Sequence, residues 1–239
     1  TDTQESDQMD SPQSTTPFTK SGIKLVIGNK NFSSWSMRPW LLLKNFQIPF
    51  EEVNVALYQR NTAEKLGPLS PSLKVPALIH QETTVWESLA ICEYINETFL
   101  DGRGWPASPR KRATARSVCA EVHAEFPALK HDWPMNCQAS VDLNVSENIA
   151  NEIARIDAIW SCCRRKYGAG DEYLFGRFSI ADCMYAPVAV TFRAYGAVLS
   201  APAQRYADTL LRNPWVEDWV AQGRAERTEQ VALGIVSNM

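Results

Sequence analysis

The sequence predicts an α/β N-terminal half followed by an all-α C-terminal half, and three observations support this fold class. Short apolar segments rich in β-branched residues, which are typical of strands, stop at Trp86. A Gly- and Pro-rich segment at 101–108 then has the composition of a linker. Beyond it, apolar residues recur at spacings of three and four, which indicates helices.

Four strands and two helices are predicted in the N-terminal half. Its first strand, helix and second strand form a βαβ unit, so these two strands should be parallel. After an irregular connection come two more strands, joined by a tight polar turn, and an amphipathic helix. This order is the thioredoxin arrangement. The predicted strands are 23–28, 50–57, 73–80 and 83–86, and the helices run to about Phe46 and from Leu89 to Phe99.

The C-terminal half is predicted to be helical throughout. Ser108 followed by Pro109 is a typical N-cap and first helical residue. Ser179 and Asp182 have the spacing of a capping box, so we interpret this pair as a folding determinant rather than a catalytic group. The other predicted helices lie at 109–129, at 149–167 and from Asn213 onward.

The composition indicates an ordinary globular protein. The chain has 239 residues, 45% of them hydrophobic, and a net charge of -3, so we expect a large core and no nucleic-acid partner. The six cysteines form no CxxC pair and the three histidines are far apart, which favours reduced thiols, a cytoplasmic location and no metal site. No apolar stretch reaches the roughly 18 residues of a membrane helix, so no membrane partner is expected. Residues 1–22 are polar and are predicted to form a disordered tail.

The most informative segment is NKNFSSWSMRPWLLL. Pro39 lacks an N–H donor and is expected in the first turn of a helix, which leaves Ser33 and Ser34 in the loop just before it. A hydroxyl there lies beside free backbone N–H groups and the positive end of the helix dipole, where an anion such as a thiolate is stabilised. From the spacing alone, a serine that merely caps the helix remains the alternative.

This segment resembles the first βα turn of serine-type glutathione transferases, especially the zeta class, whose pattern is close to SSC-x-W-R-V-R. Ser33 and Ser34 match the serine pair and Arg38 matches the first arginine. Trp35 replaces the family's cysteine, which counts against zeta-type isomerase chemistry and against a cysteine-type oxidoreductase.

A second resemblance covers LSPSLKVPALIH and TTVWESLAICEYI, which are similar to the family's glutathione-site signature. It implies a cis bond before Pro76 and a backbone pairing between Val75 and the cysteinyl part of glutathione. It also implies that Glu87 holds the ammonium group, while Ser88 and nearby N–H groups hold the γ-glutamyl carboxylate. Lys74 is a weaker candidate for the glycyl carboxylate.

The resemblance implies a glutathione transferase that activates the thiol of glutathione, its co-substrate, for attack on small hydrophobic electrophiles, with a peroxidase side activity and a role in detoxification. Ser33 is the candidate hydroxyl donor to the sulfur, and Ser34 is the reserve candidate. The candidate walls of the electrophile pocket are Phe32, Trp35, Trp133 and Met135.

The resemblance further implies a homodimer. The composition and the order of predicted elements divide the chain into four parts. These are a tail at 1–22, a thioredoxin-like glutathione-binding domain at 23–100, a linker at 101–108 and an all-helical domain at 109–239. Two other functions stay open: a glutathione-dependent cis–trans isomerase of the maleylacetoacetate type, and a non-catalytic binding module with the same fold.

Overall fold

The computed structural model describes residues 22–141 and 145–232, so the predicted tail lies outside the described residues except for Gly22. The strands are β1 (Ile23–Ile27), β2 (Glu51–Asn54), β3 (Ala77–His80) and β4 (Thr83–Trp86). The helices are α1 (Ser34–Asn45), α2 (Thr62–Leu66), α3 (Ser88–Phe99), α4 (Pro109–Ala124), α5 (Pro127–Asp132), α6 (Glu147–Tyr167), α7 (Ile180–Ala194), α8 (Ala201–Leu211) and α9 (Pro214–Ala232).

The four strands form one mixed sheet in the order β2-β1-β3-β4. Strand β1 is parallel to β2 and antiparallel to β3, and β3 is antiparallel to β4. Val26 therefore has Val53 on one side and Ala77 on the other. The predicted parallel pair and the thioredoxin arrangement are confirmed.

Each face of the sheet is covered by helices. On one face, Val26, Val55 and Ala77 pack with Leu66 of the short helix α2. On the other face, Leu25 belongs to the large core that also contains buried residues of α1 and α3. Helix α2 lies in the connection that was predicted to be irregular. It was not predicted because its five residues bury only Leu66 and show no apolar periodicity.

One continuous core joins the two halves of the chain. Helix α1 contacts α3 in its own half and also α7 and α9 in the helical half. The indole ring of Trp40 lies 5.2 Å from that of Trp219 and 6.3 Å from that of Trp215, measured between centroids. This packing places α1 at the junction between the halves.

The prediction that Pro39 lies in the first turn of α1 is wrong. The helix begins at Ser34, with Ser33 as its N-cap, and Pro39 lies in its interior. Ser34 is therefore a helical residue rather than part of the preceding loop. The missing N–H of Pro39 is tolerated because every residue from 36 to 43 is buried, so tertiary packing stabilises the helix.

The helical half also departs from its predicted bounds. One helix was expected through residue 129, but α4 ends at Ala124 and α5 begins at Pro127. Between them Phe126 adopts a left-handed backbone with φ of 66°, and Pro127 has no N–H with which to continue α4. The predicted capping box of α7 is confirmed, since Asp182 Oδ2 accepts the N–H of Ser179 at 2.8 Å.

The segment at 101–108 is packed against both halves. Trp105 is 2% exposed, and its indole N–H donates to Glu93 of α3 at 3.0 Å. The carbonyl of Gly104 accepts the N–H of Ile180 at the start of α7 at 2.9 Å. Within the described ranges, no helix is long and apolar enough to cross a membrane.

Candidate active site

The two candidate serines point to different surroundings. Ser33 is 5% exposed, and its hydroxyl donates to Ser36 Oγ at 2.7 Å. Ser36 Oγ in turn accepts the N–H of Gly28 at 3.1 Å, so this pair ties α1 to the end of β1. Ser34 is partly exposed and lines a cavity. Of the two hydroxyl-bearing residues, Ser34 therefore belongs to the cavity wall.

The cavity encloses about 210 Å³ and is lined by residues from both halves of the chain. All four residues predicted as walls of the electrophile pocket line it: Phe32, Trp35, Trp133 and Met135. Trp133 is held in place by stacking on Tyr195, with the ring centroids 5.2 Å apart. The N-terminus of α1 therefore faces an aromatic pocket that the helical half completes.

Arg38 also lines this cavity, although the sequence analysis assigned it no role. It is 3% exposed, its Nε donates to the carbonyl of Met184 at 3.2 Å, and its guanidinium carbon lies 4.1 Å from the ring centroid of Trp35. Its Nη1 is buried without a hydrogen-bond partner. Burial lowers the pKa of Arg38 to about 10, so the side chain stays charged at neutral pH.

Lys130 of α5 is a second basic residue of the cavity that the sequence analysis missed. Its Nζ lies 5.2 Å from the ring centroid of Trp35 and donates to the carbonyl of His123 at 2.9 Å. The Nε2 atom of His123 lies 3.4 Å from a carboxylate oxygen of Glu87. Burial lowers the pKa of His123, and the charge of Arg38 lowers it further.

The residues that resemble a glutathione site lie together at one edge of the sheet. Ala77 pairs with Trp86, so the residues just outside this pair, Pro76 and Glu87, are neighbours. The end of β1 reaches the same edge, because a Cβ on Gly28 would lie 3.1 Å from Cγ2 of Val75. The loop that follows Gly28 leads directly into α1.

Backbone groups at this edge are available to a ligand. The Val75–Pro76 bond is cis, as the resemblance implied. In the described part of the chain, no hydrogen bond engages the backbone of Val75. Lys74 is exposed, and its carbonyl accepts the hydroxyl of Ser70 at 2.7 Å.

The start of α3 has the properties of an anion site. Glu87, the N-cap, is exposed and has φ of 68°, a backbone conformation that is uncommon outside glycine. Ser88 is 1% exposed, and its hydroxyl has no hydrogen-bond partner. The free N–H groups of the first turn of α3 lie beside it.

No metal site accompanies these residues in the part of the chain that the structure describes. There, no group of three or more His, Cys, Asp and Glu side chains is arranged to hold an ion.

The fold and the site define a two-domain protein in which a thioredoxin-like half and a helical half meet at one cavity. Residues 32–98 match the family model for the glutathione S-transferase N-terminal domain. The maleylacetoacetate isomerase of Rattus norvegicus is 38% identical over 160 residues, which are 64% of this chain and 70% of the rat protein. A probable maleylacetoacetate isomerase of Caenorhabditis elegans is 27% identical over 158 residues, covering 64% of this chain and 73% of the relative.

A solved structure of a Burkholderia glutathione transferase homologue with bound glutathione is similar over 85% of this chain and 98% of the other, with 25% identity and a TM-score of 0.64. The chain belongs to the glutathione transferase superfamily, and its relatives include zeta-like members. The predicted enzyme class is confirmed.

Proposed function

We propose that the protein joins the sulfur of glutathione to a small electrophile bound in the cavity at the N-terminus of α1. The observation that carries this proposal is the convergence of three features at one edge of the sheet. The backbone of Val75, the start of α3 and the start of α1 all lie there. A tripeptide that spans the first two features reaches the third with its thiol.

The tripeptide is held mainly by backbone and hydroxyl groups in this proposal. Val75 pairs with the cysteinyl part of glutathione, as one strand pairs with another. Ser88 and the first N–H groups of α3 bind the γ-glutamyl carboxylate. Glu87 binds the ammonium group, and Lys74 lies on the side of the glycyl carboxylate.

The N-terminus of α1 supplies enough free energy to ionise the thiol without a general base. A free thiol has a pKa of about 8.5, and lowering it by about two units requires roughly 2.7 kcal/mol. A hydrogen bond to the charged sulfur contributes about 1.5–3 kcal/mol. The end of the helix adds about 0.3–1 kcal/mol.

The geometry favours Ser34 as the hydroxyl donor, whereas the family resemblance favours Ser33. Ser34 is the one that lines the cavity, and the hydroxyl of Ser33 is directed at Ser36. Ser33 would have to rotate about χ1 and give up that hydrogen bond before it reached the sulfur. Replacing each serine with alanine therefore distinguishes the two assignments, because only loss of the true donor should raise the pKa of the bound thiol.

The decisive experiment compares Ser34→Ala and Ser33→Ala in the conjugation of 1-chloro-2,4-dinitrobenzene. The ultraviolet absorbance of the thiolate gives the pKa of bound glutathione for each variant. We expect Ser34→Ala to raise that pKa and to lower kcat/KM by about 10–100-fold, with glutathione affinity little changed. The same result for Ser33→Ala alone would assign the role to Ser33. Full activity in both variants would contradict thiol activation by this serine pair.

A glutathione-dependent cis–trans isomerase is the second candidate, favoured by the two relatives named as maleylacetoacetate isomerases. Trp35 stands where the zeta pattern has cysteine, which supports conjugation instead. Isomerisation of maleylacetone, assayed beside conjugation, separates the two. Faster turnover of maleylacetone would favour the isomerase, and turnover of neither substrate would favour a binding module.

We also infer a homodimer that works in the cytoplasm in detoxification, with the sheet domain of one subunit packed on the helices of the other. Two large apolar residues at the sheet half support an interface there. Trp86 of the edge strand β4 is 43% exposed, and Leu73 is 50% exposed. Light scattering at several protein concentrations tests this assembly, and a monomer mass throughout would contradict it.

A further inference from the structure

Three basic side chains surround one ring on the wall of the cavity. The guanidinium carbon of Arg38 lies 4.1 Å from the ring centroid of Trp35, and Nζ of Lys130 lies 5.2 Å from it. The ring of His123 meets the same indole edge-on, with the centroids 5.1 Å apart. The positive charges of Arg38 and Lys130 therefore lie together at the aromatic wall beside Ser34, whereas burial lowers the pKa of His123.

Neither Arg38 nor Lys130 forms an ion pair within the described residues. There, neither Arg38 nor Lys130 has a carboxylate within 4.0 Å, and Nη1 of Arg38 has no hydrogen-bond partner. The charge of Arg38 lowers the pKa of Lys130 in addition to the effect of burial, so the two cations repel each other. The charges of Glu125 and Glu152 reach Lys130 from beyond ion-pair distance, and Glu152 already accepts the N–H groups that begin α5. Burying a cation without a carboxylate partner is costly, so the free Nη1 of buried Arg38 is suited to an anion that arrives with a ligand.

Aromatic side chains from both halves of the chain form part of the remaining cavity wall and suit a flat ring. Phe32 and Tyr58 contribute from the sheet half, with their ring centroids 5.5 Å apart. Phe126 and Trp133 contribute from the helical half. Aromatic side chains recognise flat apolar groups by stacking or edge-to-face contact.

We propose that this cavity selects aromatic electrophiles that carry a carboxylate, with Arg38 and Lys130 binding the carboxylate. The inference rests on the proposed function, because it specifies the electrophile of the same site. Lys130 forms the open side of the pair, since it is exposed, whereas Arg38 is 3% exposed. The carboxylate thereby orients the ring toward the N-terminus of α1.

The reaction of such a substrate balances with glutathione as the only co-reactant. The thiolate attacks the ring carbon that bears a halide, a C–S bond forms and the C–Cl bond breaks. Chloride leaves with the bonding electron pair, and the proton lost from the thiol passes to solvent. The carboxylate is unchanged, so Arg38 and Lys130 act by binding and orientation.

The test compares 4-chloro-3-nitrobenzoate with 4-chloro-3-nitrobenzamide, which have nearly the same shape and differ in charge. Each kcat/KM is divided by the uncatalysed rate constant with glutathione, because the two rings differ in intrinsic reactivity. We expect the wild-type ratio of benzoate to benzamide to be about tenfold or more. Lys130→Gln should lower this ratio about tenfold, chiefly through KM for the benzoate. Lys65→Gln, at an exposed lysine of α2, is the control of equal charge change and should leave both rates unchanged.

A wild-type ratio of one or below would overturn the inference while leaving the proposed function intact. An equal loss on both substrates in Lys130→Gln, or no change in the ratio, would also overturn it, since a structural role acts on both substrates alike. If the Arg38→Gln variant folds, its ratio of benzoate to benzamide provides a second test, and this ratio should also fall. Failure of the wild-type protein to conjugate either arene would overturn the proposed function and this inference with it.

Discussion

Ser88 is the side chain whose burial is hardest to explain without a ligand. It is 1% exposed, yet its hydroxyl makes no hydrogen bond, and an unsatisfied buried hydroxyl costs about 1–3 kcal/mol. It follows Glu87, whose backbone is in the left-handed region, another unfavourable feature at the same place. Both features are consistent with a segment shaped to bind glutathione.

Replacing Ser88 with alanine should weaken glutathione binding about 10–100-fold, because a hydrogen bond to a carboxylate is lost. The free energy of unfolding of the free protein should rise, by up to about 1–3 kcal/mol, since an unsatisfied buried hydroxyl is removed and no internal hydrogen bond is lost. Calorimetry measures the first quantity and urea denaturation the second. Ser117→Ala, on the exposed surface of α4, should change neither. Unchanged affinity, or a large loss of stability, would show that the hydroxyl has a structural role.

The sequence predicted those site residues that follow from a local pattern. Phe32 and Trp35 adjoin the serine pair, and Ser88 belongs to a matched motif. The direction of the Ser33 hydroxyl depends on Ser36, and spacing along the chain does not reveal which acceptor a serine takes. Lys130 lies almost 100 residues from the serine pair, so its place in the cavity follows only from the tertiary packing of α5.

At the scale of elements, Asp182 is the centre of the cap that starts α7. Its carboxylate accepts hydrogen bonds from the N–H of Ser179 at 2.8 Å, the N–H of Leu174 at 3.0 Å and the hydroxyl of Tyr206 at 2.8 Å. Asp182→Asn should lower the free energy of unfolding by about 2–4 kcal/mol, because an amide cannot accept at both positions. Urea denaturation measures this loss. Glu97→Gln on exposed α3 surface is the matched control, and an equal effect there would contradict the capping role.

The same carboxylate makes stability depend on pH. Burial raises the pKa of Asp182 to about 6, although the hydrogen bonds that it accepts oppose the rise. The folded protein therefore holds this proton more tightly than the unfolded chain, where the pKa is about 4. The contribution of Asp182 is fully present below about pH 4 and falls by on the order of 2 kcal/mol as pH rises through 6. The difference in stability between wild type and Asp182→Asn should narrow over this range, and a constant difference would contradict the shift.

Close contact between α9 and the loop before α1 depends on Gly223. A Cβ there would lie 2.9 Å from Cys137 Sγ and 3.0 Å from the Cα of Asn31. Gly223→Ala should therefore cost about 1–3 kcal/mol of stability by overpacking, measured by thermal or urea unfolding. Gly67→Ala, where the nearest contact is 3.5 Å away, should be neutral or stabilising. Similar losses of stability in both variants would indicate that alanine is unfavourable at either position for reasons other than overpacking.

Element types were predictable wherever local periodicity and burial agree. Strand β4 and the start of α7 match their predicted positions, because a polar turn and a capping box mark them. Helix α1 begins earlier than Pro39 suggested, and α5 separates from α4 at Phe126, because packing in the shared core outweighs the local preference. Helix α8 was not predicted as a separate helix, although Ser200 caps it. No apolar periodicity was identified between the helix that begins after Ser179 and the one that begins near Asn213.

At the scale of the whole molecule, the core belongs to neither half alone. Helix α1 is buried on one side by the sheet half and on the other by α7 and α9. Trp40 is 1% exposed and reaches Trp219 of α9. Domain bounds at 23–100 and 109–239 therefore describe composition and topology, while the packing joins both parts into one unit.

The protein should consequently unfold in a single cooperative transition. Tryptophan fluorescence and far-UV circular dichroism should give coincident midpoints in urea, because loss of the shared core unfolds both halves together. A fragment of residues 22–108 should show no cooperative transition, since removing α7 and α9 exposes apolar surface of α1 that includes Trp40. Its matched control is the full chain at the same molar concentration. Two separated transitions in the full chain, or cooperative unfolding of the fragment, would show that the sheet half is stable without the helices that complete its active site.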